Sequence, residues 1–187
     1  MLPATVLCGL DDRLRLQALS RLVAARPAHE RWAALRNGVL WPVSEHDWPA
    51  GLARFDAGAA CGCCIGQVAL RVALTRLLRE AVRASTPWNA LVVELGAAAH
   101  PQTLLDVLQA EPFAGRVQVA RRITVLDPAF AARLLAGPPG AARIRLQAQL
   151  AFADELLLSG GGAEAADGRD VEAVRAAAVR AGRVERL

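Results

Sequence analysis

The run Ala90-Leu91-Val92-Val93-Glu94-Leu95, set between Pro87 and Gly96, restricts the fold more than any other stretch. A short, continuously apolar run rich in β-branched residues reads as a strand buried on both faces, where a half-exposed strand would alternate. Thr5–Cys8 and Glu155–Leu158 are similar short runs, and Arg116–Leu126 is expected as a longer strand. Amphipathic stretches lie between them. Asp11 to Ala25 places Leu14, Leu16, Leu19, Leu22 and Val23 at roughly helical spacing before Pro27. Gln67 to Ala84 sets Leu70, Leu74, Leu77, Leu78 and Val82 on one face. Further helices are expected from Pro101 to Ala110, after Asp127-Pro128, over Arg143–Phe152 and over Asp170–Arg180. Arg36–Val43 and Arg183–Glu185 are expected as shorter strands, with a loop at Glu45–Pro49. Strands alternating with helices imply an α/β domain: a mostly parallel sheet covered on both faces.

A chain of 187 residues suits one domain, 1–187, with a sizeable core. No run of eighteen uncharged apolar residues spans a bilayer, and no charged n-region precedes an apolar segment, so neither membrane nor leader is expected. Free clustered thiols fit a reducing compartment, and the expected location is cytoplasmic. The net charge is +4, and every strongly basic side chain is Arg, because the sequence has no Lys. Those arginines are interleaved with Asp and Glu along the helices, a pattern of solvated faces; no nucleic-acid partner is expected. No nucleophile elbow precedes a histidine and no Gly-x-Gly-x-x-Gly follows a strand, which excludes a hydrolase triad and a Rossmann dinucleotide site.

Three of the four cysteines fall in Cys61-Gly62-Cys63-Cys64. Cys63 and Cys64 can pair with each other only through a strained ring, since neighbouring Cα atoms lie closer than a relaxed disulfide wants. Three thiolates on a glycine-loosened turn suit one soft or borderline ion, such as zinc or Cu(I). Two other readings stay open: a redox pair of Cys61 and Cys63, and a cluster of small buried residues. Metal binding is the preferred one, and it needs a further ligand. Cys8 and Glu94 both end apolar runs, at the strand edge where α/β folds gather ligands. The alternative for Cys8 is a buried strand residue. A buried Glu94 needs a partner, whether a metal, an Arg or backbone N–H groups. His100, before Pro101, reads as a helix-start residue, while His29 and His46 sit in polar surface stretches.

Several segments together carry a resemblance. They are Thr5-Val6-Leu7-Cys8-Gly9-Leu10, the Cys61-Gly62-Cys63-Cys64 motif, Val92-Val93-Glu94 with Ala99-His100-Pro101, Thr124-Val125-Leu126-Asp127, and Gln149-Leu150-Ala151-Phe152-Ala153-Asp154. In this order they resemble the CobW-type P-loop GTPases, a family linked to metal delivery and often described as zinc metallochaperones. The resemblance covers nearly the whole chain and implies a three-layer P-loop NTPase-like domain.

The nucleotide motifs depart from the family's pattern. A Walker A loop needs Gly-x-x-x-x-Gly-Lys-[Ser/Thr], with glycines for close backbone approach, Lys for charge and a hydroxyl for Mg²⁺. Gly9 holds the first place, but Leu14, Arg15 and Leu16 hold the last three, and Asp11 and Asp12 bring carboxylates where phosphate oxygens would lie. Like charges in a water-poor cradle repel strongly. The family's Asn-Lys-x-Asp is replaced by Ser159-Gly160-Gly161-Gly162, and its Glu-Thr-Ser-Gly by Glu94-Leu95-Gly96-Ala97. The expectation is a pseudo-GTPase that binds metal, zinc first, through Cys61, Cys63 and Cys64, without GTP or Mg²⁺. Its partner would be a metal-recipient protein or an intact paralogue. The alternatives are a weak GTPase or ATPase that uses Arg15 for Lys, and an interaction module with vestigial thiols.

Overall fold

The computed structural model describes residues 1–39, 43–58, 64–83, 87–159, 168–178 and 182–187. Seven strands form one sheet in the order β3-β2-β4-β1-β5-β6-β7. They are β1 (Leu2–Cys8), β2 (Trp32–Asn37), β3 (Ala53–Asp56), β4 (Ala90–Leu95), β5 (Val117–Leu126), β6 (Glu155–Leu158) and β7 (Arg183–Arg186). Every neighbouring pair is parallel. A parallel pair needs a crossover, and the amphipathic stretches supply it: α1 (Asp12–Ala24), α2 (Cys64–Arg83), α3 (Pro101–Gln109), α4 (Pro128–Ala136), α5 (Ala141–Phe152) and α6 (Gly168–Ala177).

The two faces of the sheet bury different residues of the same strands. Leu7, Ala34, Val92, Ile123 and Val125 face α1, packing on Ala18, Leu19 and Val23. Val6, Cys8, Leu35, Leu91, Val93 and Leu95 face the other way, onto Leu70, Leu74 and Leu77 of α2 and Leu104 and Val107 of α3. Beyond β5, α4, α5 and α6 close a third cluster around Leu126, Leu146, Leu150, Leu156 and Val174. This accounts for the apolar runs of β1 and β4, which have no solvent side.

Helix starts follow local chemistry. Asp11 caps α1 by accepting from the amides of Arg13 and Leu14, at 2.7 and 3.1 Å. His100 Nδ1 accepts from the Gln102 amide at 3.2 Å before Pro101, and Asp127 accepts from the Phe130 amide at 2.9 Å before Pro128. Two expectations need correcting. The strand expected over Arg36–Val43, of which 40–42 lie outside the described residues, is found earlier, at Trp32–Asn37, so Arg36 stands next to its end rather than at its start. Its charge is tolerated in a buried strand because a carboxylate on β4 meets it, as described below. Val82 belongs to the outer face of α2, 86% exposed, and not to the core stripe with Leu70, Leu74 and Leu77. The short β3, which pairs with β2 from Ala53 to Asp56, carries too little apolar pattern to read from sequence.

The loops leaving β2 and β4 touch backbone to backbone. Gly38 turns the chain at φ +69, and Gly96 donates its amide to the Asn37 carbonyl at 2.8 Å. A Cβ at Gly96 would stand 2.1 Å from the Gly38 oxygen and 2.7 Å from the Val39 nitrogen. Neither obstacle is a movable side chain. Gly96→Ala is therefore expected to destabilise the fold by about 2 kcal/mol or more, read as a lowered urea midpoint with an unchanged m-value.

Candidate nucleotide edge and metal motif

The strand order reverses direction at β1 and β5: the chain leaves β1 toward β2 and leaves β5 toward β6. Open α/β sheets bind ligands in the crevice outside such a switch point. A cavity of about 350 Å³ lies there, lined by Leu10, Leu14, Val125, Phe130 and Leu146, with Asp11 and Asp127 as its carboxylates. Both carboxylates cap helices, of α1 and α4. The lining of this crevice is apolar and acidic.

Only Gly9, Leu10 and Asp11 separate β1 from α1, so Asp12, Arg13 and Leu14 are already helical. The Asp11 cap takes two of the amides that a phosphate at this helix end would need. Arg15 then points inward and is fully buried. Its Nη1 donates to the Gly9 carbonyl, its Nη2 meets Asp12 Oδ1, and its Nε donates to Glu94 Oε1 at 3.2 Å. Gly9 itself is hemmed in: a Cβ there would lie 2.7 Å from the Val125 oxygen and 3.1 Å from Arg15 Cγ. The guanidinium thus fills the inside of the loop.

The register of the sheet extends this contact into a row of charges. Glu94 on β4 pairs with Arg36 on β2, which pairs with Asp56 on β3. Arg36 Nε donates to Glu94 Oε2 at 2.7 Å, and its Nη1 stands 3.9 Å from Asp56 Oδ1. Each oxygen of Glu94 therefore holds one buried guanidinium. Asp56 ends the row at the surface, and beyond it Gly38 donates to the Gly58 carbonyl at 3.0 Å.

Cys61 and Cys63 lie outside the described residues. Cys64 is the first residue of α2, and the placement of its side chain also falls outside the description. Among the described residues, no group of three His, Cys, Asp or Glu side chains is gathered closely enough to hold a metal ion. Cys8 is fully buried at the end of β1, packed in the α2 face of the core, and burial pushes its thiol up to about 12. A ligand to zinc is a thiolate, which this setting disfavours.

The structure also explains what part of the Gln149–Asp154 run does locally. Leu150 and Phe152 pack into the core, and Asp154 forms a bidentate pair with Arg122 at 2.6 and 2.7 Å. The Gln149 carbonyl accepts from Thr124 Oγ1 at 3.0 Å. Its buried side-chain amide has no hydrogen-bond partner among the described residues. Arg36 is the buried charged residue of this edge that sequence pattern does not single out. The signal is an Arg directly after the apolar run Trp32–Leu35, with a lone Glu inside another such run.

With this geometry in place, comparison with known proteins is direct. Residues 18–180 match the nucleotide-binding domain of the CobW/HypB/UreG family, and the chain belongs to that family. A relative is the zinc chaperone YeiR of Escherichia coli K12, 27% identical over 156 residues, which are 82% of this chain and 45% of YeiR. The fold is also that of the Zn(II)-bound YjiA GTPase from E. coli, with a TM-score of 0.66 at 16% identity, covering all of this chain and 57% of that one. A Zn(II)-bound triple mutant of YjiA superposes equally well. The chain thus spans about half the length of these proteins.

Glu94→Ala would leave Arg15 and Arg36 buried without their shared counter-charge. A loss of about 3–5 kcal/mol is expected from removing one side of a buried ionic contact, measured by urea unfolding. In a variant with Cys61, Cys63 and Cys64 changed to Ser, Cys8 is the sole thiol. It is expected to resist Ellman's reagent in buffer and to react at once in denaturant.

Proposed function

We propose that this chain is a metal-binding pseudo-GTPase: a CobW-type scaffold that carries zinc through Cys61, Cys63 and Cys64 without GTP hydrolysis. The observation that carries the reading is Arg15. A lysine at that position works by reaching phosphates that the loop amides hold. Arg15 instead spends its donors on Gly9, Asp12 and Glu94 inside the fold. The crevice beside it offers apolar walls and two carboxylates, and a nucleotide triphosphate requires the opposite charge. GTP and Mg²⁺ do not fit the residues present, and no hydrolytic step is assigned.

The thiol motif supports zinc as cargo by its donor set. Three thiolates satisfy most of a tetrahedral site and leave one position for exchange with a recipient. The similarity to YeiR, a zinc chaperone, supports the same reading. Cys8 and Glu94 are left out of the ligand set, because one is packed inside the apolar core and the other is held by two arginines. Partners of this function are a metal-recipient protein or an intact paralogue.

The test is metal content and affinity of anaerobically purified protein, beside a Cys61/Cys63/Cys64→Ser triple variant, with thermal melts in GTP–Mg²⁺. One equivalent of zinc, lost in the triple variant, is the expected result, with a melting temperature that millimolar GTP–Mg²⁺ leaves unchanged. A ligand that binds only the folded state must raise that temperature, so a rise would return the chain to the working GTPases. Equal zinc in both proteins would sink the metal reading.

A further inference from the structure

The helix that begins in the thiol motif has a second side. Opposite the core stripe of α2, Val68, Val72 and Val82 are 60%, 46% and 86% exposed. At about 100° per residue they fall in one line with Thr75 and Arg79. Toward the helix C-terminus this line opens into a groove of about 570 Å³, whose far wall is Pro112, Phe113 and Arg116. Arg79, Arg83 and Arg116 ring the groove, and none is paired with a carboxylate among the described residues. Along its length α2 has four arginines and a single acid, Glu80, which points about 100° away from Arg79 around the helix. Glu111, next to the wall, meets Arg71 through its backbone carbonyl at 3.1 Å.

We propose that the outer face of α2, with the groove at its end, is a docking surface for an acidic amphipathic segment of a protein partner. Charge and shape both select that occupant. The arginines want carboxylates, and the valines between them want apolar side chains at helical spacing. A nucleic acid would use the arginines but has no use for a valine line, and the surface lacks the aromatic platforms that hold single strands. A free anion needs a walled site, whereas these guanidinium groups are exposed.

The position of the surface gives it a purpose. Val68 lies one turn beyond Cys64, about 6 Å along the helix axis, and the line runs a further ~22 Å to Arg83. A segment bound along it reaches the start of α2 at Cys64 at one end. Calling that partner the recipient of the ion rests on the metal reading above; the surface itself does not.

The experiment uses a fluorescein-labelled synthetic helix of five turns, with Glu on one face and Leu on the other. Controls are the same peptide with Lys for Glu and an unstructured RNA oligonucleotide of equal charge. Binding is measured by anisotropy to the wild type, to an Arg79→Glu/Arg83→Glu variant, and to a charge-matched Arg145→Glu/Arg175→Glu variant on α5 and α6. All substituted residues are exposed, and far-UV circular dichroism checks folding.

The acidic peptide is expected to bind the wild type, to weaken about tenfold or more in the α2 variant, and to change by less than about twofold in the control variant. Val72→Ser/Val82→Ser, which keeps all charges, is expected to weaken it as well. Equal loss in both charge variants, tighter binding of the RNA, or no binding of the acidic peptide overturns the proposal. Zinc content of the α2 variant is measured in parallel and is expected to match the wild type. A failure of docking and a failure of the metal reading are then told apart.

Discussion

Glu94 is the joint of this molecule. It stands next to the end of β4, inside the sheet, and its carboxylate oxygens hold one buried guanidinium from α1 and one from β2. Buried charges are costly unless each finds its partner, and here a single anion serves two cations while Asp12 and Asp56 balance the ends. The contact fixes how α1 sits on the sheet, because Arg15 is anchored both to Glu94 and to the loop that leads into the helix. It also fixes the end of β2, whose last residues carry the polar edge of an otherwise apolar strand.

From that joint the rest of the edge follows. With Arg15 drawn inward, the turn after β1 has no space to hold open, and α1 winds from Asp12 onward. Asp11 closes the helix end with its own side chain. The row of charges then runs across three strands to Asp56, whose successors lead to the cysteine motif. The segment up to Gly58, the last described residue before the motif, is thus tied to this strand edge through β3 and by the Gly38–Gly58 contact.

Much of this was legible in the residues. The apolar runs of β1, β4 and β6, the longer strand β5 and the helices between them need only pattern and Pro or Asp boundaries to be read. The resemblance to CobW-type GTPases rested on segments in the right order, and the family match over residues 18–180 agrees with it. What pattern reading could not supply was pairing. Arg36 looked like a strand start because a charge inside an apolar run is normally a boundary; only the register that sets it opposite Glu94 makes it an interior residue. Val82 fits the core stripe by its spacing from Leu78 alone, yet at about 100° per residue it falls closer to the line of Val68, Thr75 and Arg79 than to Leu70 and Leu77, and it is exposed. Glu94 itself was open among metal, arginine and amide partners, and sequence distance hid that two arginines, 79 and 58 residues away, converge on it.

The Asp11 cap has an implication for how such a loop changes over evolutionary time. A lysine placed at position 15 would meet a turn already wound into helix, with Asp11 still on its amides and Asp12 still beside it. A serine at position 16 would gain nothing without both of those carboxylates leaving. Each of these substitutions is uphill unless the others accompany it, so their effects are strongly non-additive. A turn held by so many mutual contacts is therefore not opened by any single substitution.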